Sequence, residues 1–174
     1  AWTPLHAANA FAMLARHGRQ RPPTLLKGVS AEPAQPDRLL PPEVVATTLA
    51  GLESAVTDSH GTGSRLRYGP GDYEPIFNVS PLRIWGKTGT AQAPPMPMDL
   101  DGDGELGVGE RIDDLHHAWF VGLVGEQEPE YAVAVLVEYG GSGGRVAGPI
   151  ANQIMHALSA ESYLPPVERS FPLQ

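Results

Sequence analysis

Apolar residues recur along the chain in two rhythms, and the change from one to the other divides it. From Thr3 to Gly18, Leu5, Ala8, Ala12 and Ala15 fall near helical spacing, while Phe11 and Leu14 widen the apolar face. Thr3 suits an N-cap, Pro4 the first helical position and Gly18 a stop, so a helix is predicted over residues 3–18. A second helix is predicted from Pro41 and Pro42 to about Thr57, with Val44, Val45, Leu49, Leu52 and Val56 on its buried side. Between the two, Arg19 to Pro36 is rich in proline and polar residues and reads as a connection, with Leu25, Leu26 and Val29 as short-strand or anchor positions. The stretch from His60 to Asp72, with four glycines and a proline, reads as a loop.

Beyond that loop the rhythm shortens. Pro81–Thr90, His117–Val124 and Tyr131–Tyr139 read as strands, the last two joined by the polar turn Gly125–Glu130 into an antiparallel hairpin. Residues Ala132 to Val137 show no polar alternation, as expected of a strand covered on both faces, so helices should pack on each side of the sheet. Gly140–Gly144 leads through Pro149 into a last helix marked by Ile150, Ile154, Met155 and Leu158. Those glycines lack the Lys-Ser/Thr ending of a phosphate-cradling loop and read as a strand-to-helix turn. Residues 165–174 read as an irregular tail. The expected class is α+β, an antiparallel sheet of three main strands with helices on its faces.

Composition narrows the functions that such a domain can serve. With 41% hydrophobic and 18% charged residues the chain has the balance of a soluble domain with a core. A net charge of −8 and only 12 scattered basic residues exclude nucleic acid as a partner, because that binding rests on clustered Lys and Arg. No run of about 20 apolar residues occurs, and the first residues do not resemble a signal peptide. The absence of cysteine removes disulfides and thiol catalysis and leaves the compartment open. His116 and His117, adjacent in a strand, point to opposite faces and are expected to be structural rather than a shared metal site. Ser59 beside His60 makes no triad, which is defined by geometry rather than adjacency.

The segment Trp85-Gly86-Lys87-Thr88-Gly89-Thr90-Ala91 carries the chemistry. An ammonium at Lys87 supplies fixed positive charge for a substrate carboxylate, and Thr88 and Thr90 supply hydroxyl donors. Gly89 lets a ligand's backbone approach closely. Its context is a helix ending in Leu49-Ala50-Gly51-Leu52, the loop His60-Gly61-Thr62-Gly63, and Ala118-Trp119-Phe120-Val121-Gly122 on the following strand. This order resembles the class B penicillin-binding proteins, peptidoglycan transpeptidases of elongation and division, whose site includes a Lys-Thr-Gly strand. Thr3 to Ala10 looks like the helix that follows the family's second motif, and Gly140 to Ile154 is similar to its glycine-rich turn and closing helix.

The resemblance implies a partial penicillin-binding, β-lactamase-like fold over residues 1–164, with an insertion at 94–115. It assigns Lys87, Thr88, Gly89 and Thr90 to the catalytic site, and Lys87, Thr88, Thr90 and Trp85 to substrate binding. The Thr90 N–H would form one arm of an oxyanion hole, and Trp85 could also line the groove rather than simply pack. Partners implied are D-Ala-D-Ala stem peptides and β-lactams, at the extracytoplasmic face of a bacterial inner membrane and anchored by a segment elsewhere. The family also uses Ser-x-x-Lys and Ser-x-Asn, and neither occurs in these 174 residues: Arg67 stands three after Ser64, and Arg83 three after Ser80. The expectation is therefore a C-terminal portion of the domain, inactive alone, whose natural partner is the N-terminal half and whose exposed sheet face could pair with a second copy. A D,D-carboxypeptidase, a β-lactamase relative and a non-catalytic, calcium-dependent binding module are the alternatives. No cofactor is implied for catalysis.

A second pattern lies within the insertion. Asp99, Asp101, Asp103 and Glu110 occupy positions one, three, five and twelve of a loop with Gly104 at six and the apolar Leu106 at eight, the pattern of an EF-hand calcium loop. The Glu105 carbonyl would fill the seventh place. The preceding Pro94-Pro95-Met96-Pro97 cannot form the incoming helix of an EF-hand. The segment reads either as a structural calcium loop or as a solvated acidic loop, with seven carboxylates from Asp99 to Asp114 opposed only by Arg111.

Overall fold

The computed structural model describes residues 2–26, 28–29 and 36–168. Its first helix, α1 (Pro4–Ala15), begins on a capping box: the Thr3 hydroxyl accepts the His6 N–H while the His6 ring reaches back to Thr3. It ends where His17 and Gly18 take positive φ, with the Gly18 N–H on the Met13 carbonyl. Helix α2 (Pro42–Thr57) starts at the second proline, as expected.

The main sheet is antiparallel with order β3–β6–β7, formed by β3 (Arg83–Gln92), β6 (His116–Gly125) and β7 (Tyr131–Val137). A π-type turn at Gly143–Ala147 leads into α3 (Gly148–Ala160). On one face α3 and this turn cover Ile84, Phe120, Val124, Val133 and Val135, with Phe120, Val124 and Met155 wholly buried. On the other, Leu123 lines a small cavity together with Ala12 and Ala15 of α1. Helix α2 runs along β3, with its Val56 reaching the core that holds Phe120. The α+β class and the helices on both faces thus hold.

Four sequence expectations need correction. The strand covered along both faces is the central β6, buried almost throughout, whereas the edge strand β7 buries only Val133 and Val135. The expected apolar positions hold only in part: Val45, Val56 and Met155 are buried, but Leu5, Val44, Ile150 and Ile154 are exposed, and Ala7 and Ala151 are inside. The helices meet the sheet closely through small side chains, so size did not mark the contact side. The 60–72 loop contains a hairpin, β1 (Arg65–Gly69) with β2 (Asp72–Pro75). Polar side chains hold it: the Arg65 guanidinium lies 4.5 Å over the Tyr73 ring, and the Tyr68 hydroxyl donates to Glu74 at 3.0 Å. Without apolar alternation it carried no strand signal. Finally, Leu25, Leu26 and Val29 are exposed, not anchored among the described residues.

The start of the tail is irregular but attached, Ser159 Oγ donating to the Pro165 carbonyl and the Glu168 N–H to that of Ser80, both at 2.8 Å. The rest of it, residues 169–174, lies outside the described residues, as does part of the 19–36 connection.

Candidate active site

The Lys-Thr-Gly segment lies on β3, at one edge of the three-stranded sheet, and its register is fixed by β6: Lys87 opposite Val121, Thr88 opposite Phe120, Gly89 opposite Trp119 and Thr90 opposite Ala118. Gly86 admits Phe120, because a Cβ there would stand 2.4 Å from the ring. The core residue is thus seated directly under the segment that presents the site.

Two other segments close on this strand. Thr62, between Gly61 and Gly63, places its hydroxyl 2.6 Å from that of Thr88. From the other end of the chain, Gly143 sits on the strand so closely that a Cβ would meet the Gly89 carbonyl at 2.4 Å and the Trp119 carbonyl at 2.3 Å. Gly144 approaches the Thr62 carbonyl in the same way, so the glycine-rich turn touches both the strand and the Thr62 loop. Lys87 is exposed and donates from Nζ to the Thr88 carbonyl at 2.9 Å, while Thr90 is exposed next to it. The result is a strand with an accessible ammonium and hydroxyls, walled by backbone rather than by bulky side chains.

Trp85 is different. It is 3% exposed, under the Arg83 guanidinium, which lies 5.0 Å over its ring and pairs with Glu53 of α2 at 2.6 and 2.9 Å. The hydrogen bonds that Arg83 donates to Glu53 raise its pKa above the usual value. Trp85 thus packs between β3 and α2, in the packing role considered for it beside substrate binding. Sequence reasoning placed no role on Thr62, although a threonine between two glycines ahead of the strand was a usable signal.

The acidic loop stands between β4 (Met96–Pro97) and β5 (Arg111–Ile112), a short antiparallel pair in place of helices. Of the five residues expected as ligands, Asp99, Asp101 and Asp103 bring one carboxylate oxygen each within 4.8 Å of one another. Glu110 stands apart, its oxygens accepting from the amides of Leu100, Asp101 and Gly107, and Glu105 donates its N–H to Asp103. Asp99 accepts from Gly104 at 2.9 Å and from Gly102 at 2.6 Å, both glycines at positive φ. These backbone donors hold the Asp99 carboxyl below its usual value, and the Gly107 and Leu100 amides do the same for Glu110. The loop therefore answers its negative charge with its own N–H groups. His117 and Tyr139 pack as ring edge to face, in line with a structural role for that histidine.

Residues 1–156 match the penicillin binding protein transpeptidase domain, and the chain belongs to that family. It is 30% identical over 99% of its length to the peptidoglycan D,D-transpeptidase MrdA of Haemophilus influenzae, of which it covers 26%. It is 27% identical to the peptidoglycan D,D-transpeptidase PbpA of Mycolicibacterium smegmatis, covering 30% of that protein. Among solved structures it is similar to Pseudomonas aeruginosa PBP2 in complex with WCK 5153, with a TM-score of 0.66 and 27% identity over 99% of this chain and 33% of that one. The apo transpeptidase domain of Burkholderia pseudomallei penicillin-binding protein 3 gives a TM-score of 0.62 at 25% identity, over 98% of this chain and 45% of that one. The chain thus spans about a quarter to a third of the length of these curated relatives.

Proposed function

We propose that the chain provides the Lys-Thr-Gly side of a serine acyl-transfer site that cross-links peptidoglycan. The observation that carries this reading is the placement of Lys87, Thr88 and Thr90 on an edge strand walled by Thr62 and Gly143. An extended stem peptide can add to such an edge by main-chain hydrogen bonds. Its terminal carboxylate is held by the Lys87 ammonium and the Thr88 hydroxyl, and the Thr90 N–H stabilises the oxyanion as a serine attacks the D-Ala-D-Ala carbonyl. D-Ala leaves, and an amine from a second stem peptide resolves the acyl-enzyme, forming the cross-link. No Ser-x-x-Lys occurs in these residues, so the nucleophile and its activating lysine come from a segment outside them.

β-Lactams acylate the same serine in this reading. The substrate places the site outside the cytoplasmic membrane; among the described residues no helix is long and apolar enough to cross one. The test is covalent labelling by a fluorescent penicillin, read after denaturation, in the whole protein and in residues 1–174 alone. Labelling of the whole protein, its loss in Lys87→Ala and no labelling of the 174 residues alone are expected. An adduct on the 174-residue chain would overturn the assignment of the nucleophile, and an unlabelled whole protein would overturn the function.

A further inference from the structure

The β6–β7 ladder ends at the register of Thr90, which stands opposite Ala118 on β6. Its last pair is Ala118 with Val137, and the next residues of β7 turn away, Tyr139 taking φ +54°. A residue leaving a ladder in this way has an N–H with no strand partner. Here the side chain of His117 takes that place: its Nδ1 accepts the Tyr139 N–H at 3.1 Å, and the two rings pack edge to face with centroids 5.2 Å apart. The neighbouring His116 carbonyl accepts the Gly141 N–H at 2.9 Å. Two residues on, Gly143 rests on the backbone of Gly89 and Trp119.

On β3 the residue opposite His117 is Ala91, next to Thr90. One end of β6 thus holds both the Thr90 strand and the turn that packs on it. We propose that His117 is a positioning residue, whose bare Nδ1 fixes the Tyr139–Gly143 turn against Gly89 and so sets the Thr90 amide that receives the oxyanion; the catalytic part of this rests on the function proposed above. The bond requires Nδ1 as an acceptor, which places any ring proton of the neutral imidazole on Nε2.

Two substitutions separate the acceptor from the ring. His117→Phe keeps a ring against Tyr139 and removes the acceptor, whereas His117→Asn removes the ring and keeps an acceptor at nearly the same place. In the whole protein, the rate constant for acylation by fluorescent penicillin should fall about 5- to 10-fold in His117→Phe, the worth of one net hydrogen bond, and stay within about twofold of wild type in His117→Asn. Equal rates in all three, or equal losses in both variants, would overturn the proposal. Nitrogen NMR of the 174-residue chain tests it apart from activity: an unprotonated Nδ1, and Gly89 and Thr90 amide shifts that move in His117→Phe but not in His117→Asn, are expected. A protonated Nδ1 in the neutral ring overturns the proposal, whereas failure of the whole protein to label bears only on the function.

Discussion

The close backbone approach of Gly143 to the site strand gives a test with a sign and a size. In Gly143→Ala, the new methyl would stand 2.3 Å from the Trp119 carbonyl oxygen, 2.4 Å from that of Gly89 and 2.9 Å from the Gly89 nitrogen. Carbon atoms in unstrained contact sit about 3.5–4.0 Å away, so the turn must retreat by about 1 Å. No flexible side chain can absorb this, because all three neighbours are backbone atoms of paired strands. Overpacking of this kind costs about 1–3 kcal/mol, or about 2–12 °C in Tm for a chain of this size. Gly51→Ala is the control of opposite sign: it lies within α2, a Cβ there meets nothing within 4 Å, and the change should stabilise by up to about 1 kcal/mol. Differential scanning calorimetry of both variants, with the Gly89 amide followed by NMR, reads the outcome. A Gly143→Ala chain that melts at or above the wild-type temperature, with that amide unmoved, would refute the close packing of turn on strand.

Further predictions follow from single contacts. Phe120→Ala, at a wholly buried side chain under Gly86, should cost about 3–5 kcal/mol in urea unfolding. A double-mutant cycle of Thr62→Val and Thr88→Val should give a coupling of about 0.5–1.5 kcal/mol, and a value of zero would deny the 2.6 Å hydroxyl pair. Glu53→Gln should cost less than about 1 kcal/mol, because its pair with Arg83 is partly exposed, with side chains 29% and 47% accessible. In the acidic loop, the ionised Asp99 and Glu110 are the hydrogen-bonded forms and their pKa values are lowered, so loop order is present above the ordinary carboxylate range and lost as pH falls through the lowered values. The Gly104 and Gly107 amide shifts should therefore titrate below that range, and midpoints at or above it would sink the account.

The long elements were legible because pattern and punctuation agreed. Prolines and glycines bounded α1 and α2, and the apolar runs 118–124 and 131–137 could be little but strands. The β1–β2 hairpin was hidden because its stability comes from Arg65, Tyr73, Tyr68 and Glu74, which look in sequence like a polar loop. The buried positions of α1 and α3 were only partly legible for a related reason. A helix packed closely on a sheet buries Ala7 or Ala151, and alanine carries little weight in a hydrophobic pattern that favours Leu and Ile.

The site itself was half legible, and the division has one cause. Lys87, Thr88 and Thr90 announce themselves because chemistry needs their functional groups. The walls do not, because Gly61-Thr62-Gly63 and Gly140–Gly144 meet β3 through backbone atoms, and their glycines record a contact without naming its partner. In sequence, a glycine that serves a turn looks the same as one that serves a flexible joint or a close approach. Only the fold shows that Gly143 and Gly144 belong to the last kind, stacked on Gly89 and on the Thr62 carbonyl. Substitutions at these two positions should therefore disturb the Lys-Thr-Gly strand more than a change at the exposed Lys87 disturbs the fold. Folding and function should separate accordingly: Lys87→Ala should melt within about 0.5 kcal/mol of wild type while losing its labelling, and Gly143→Ala should lose both together.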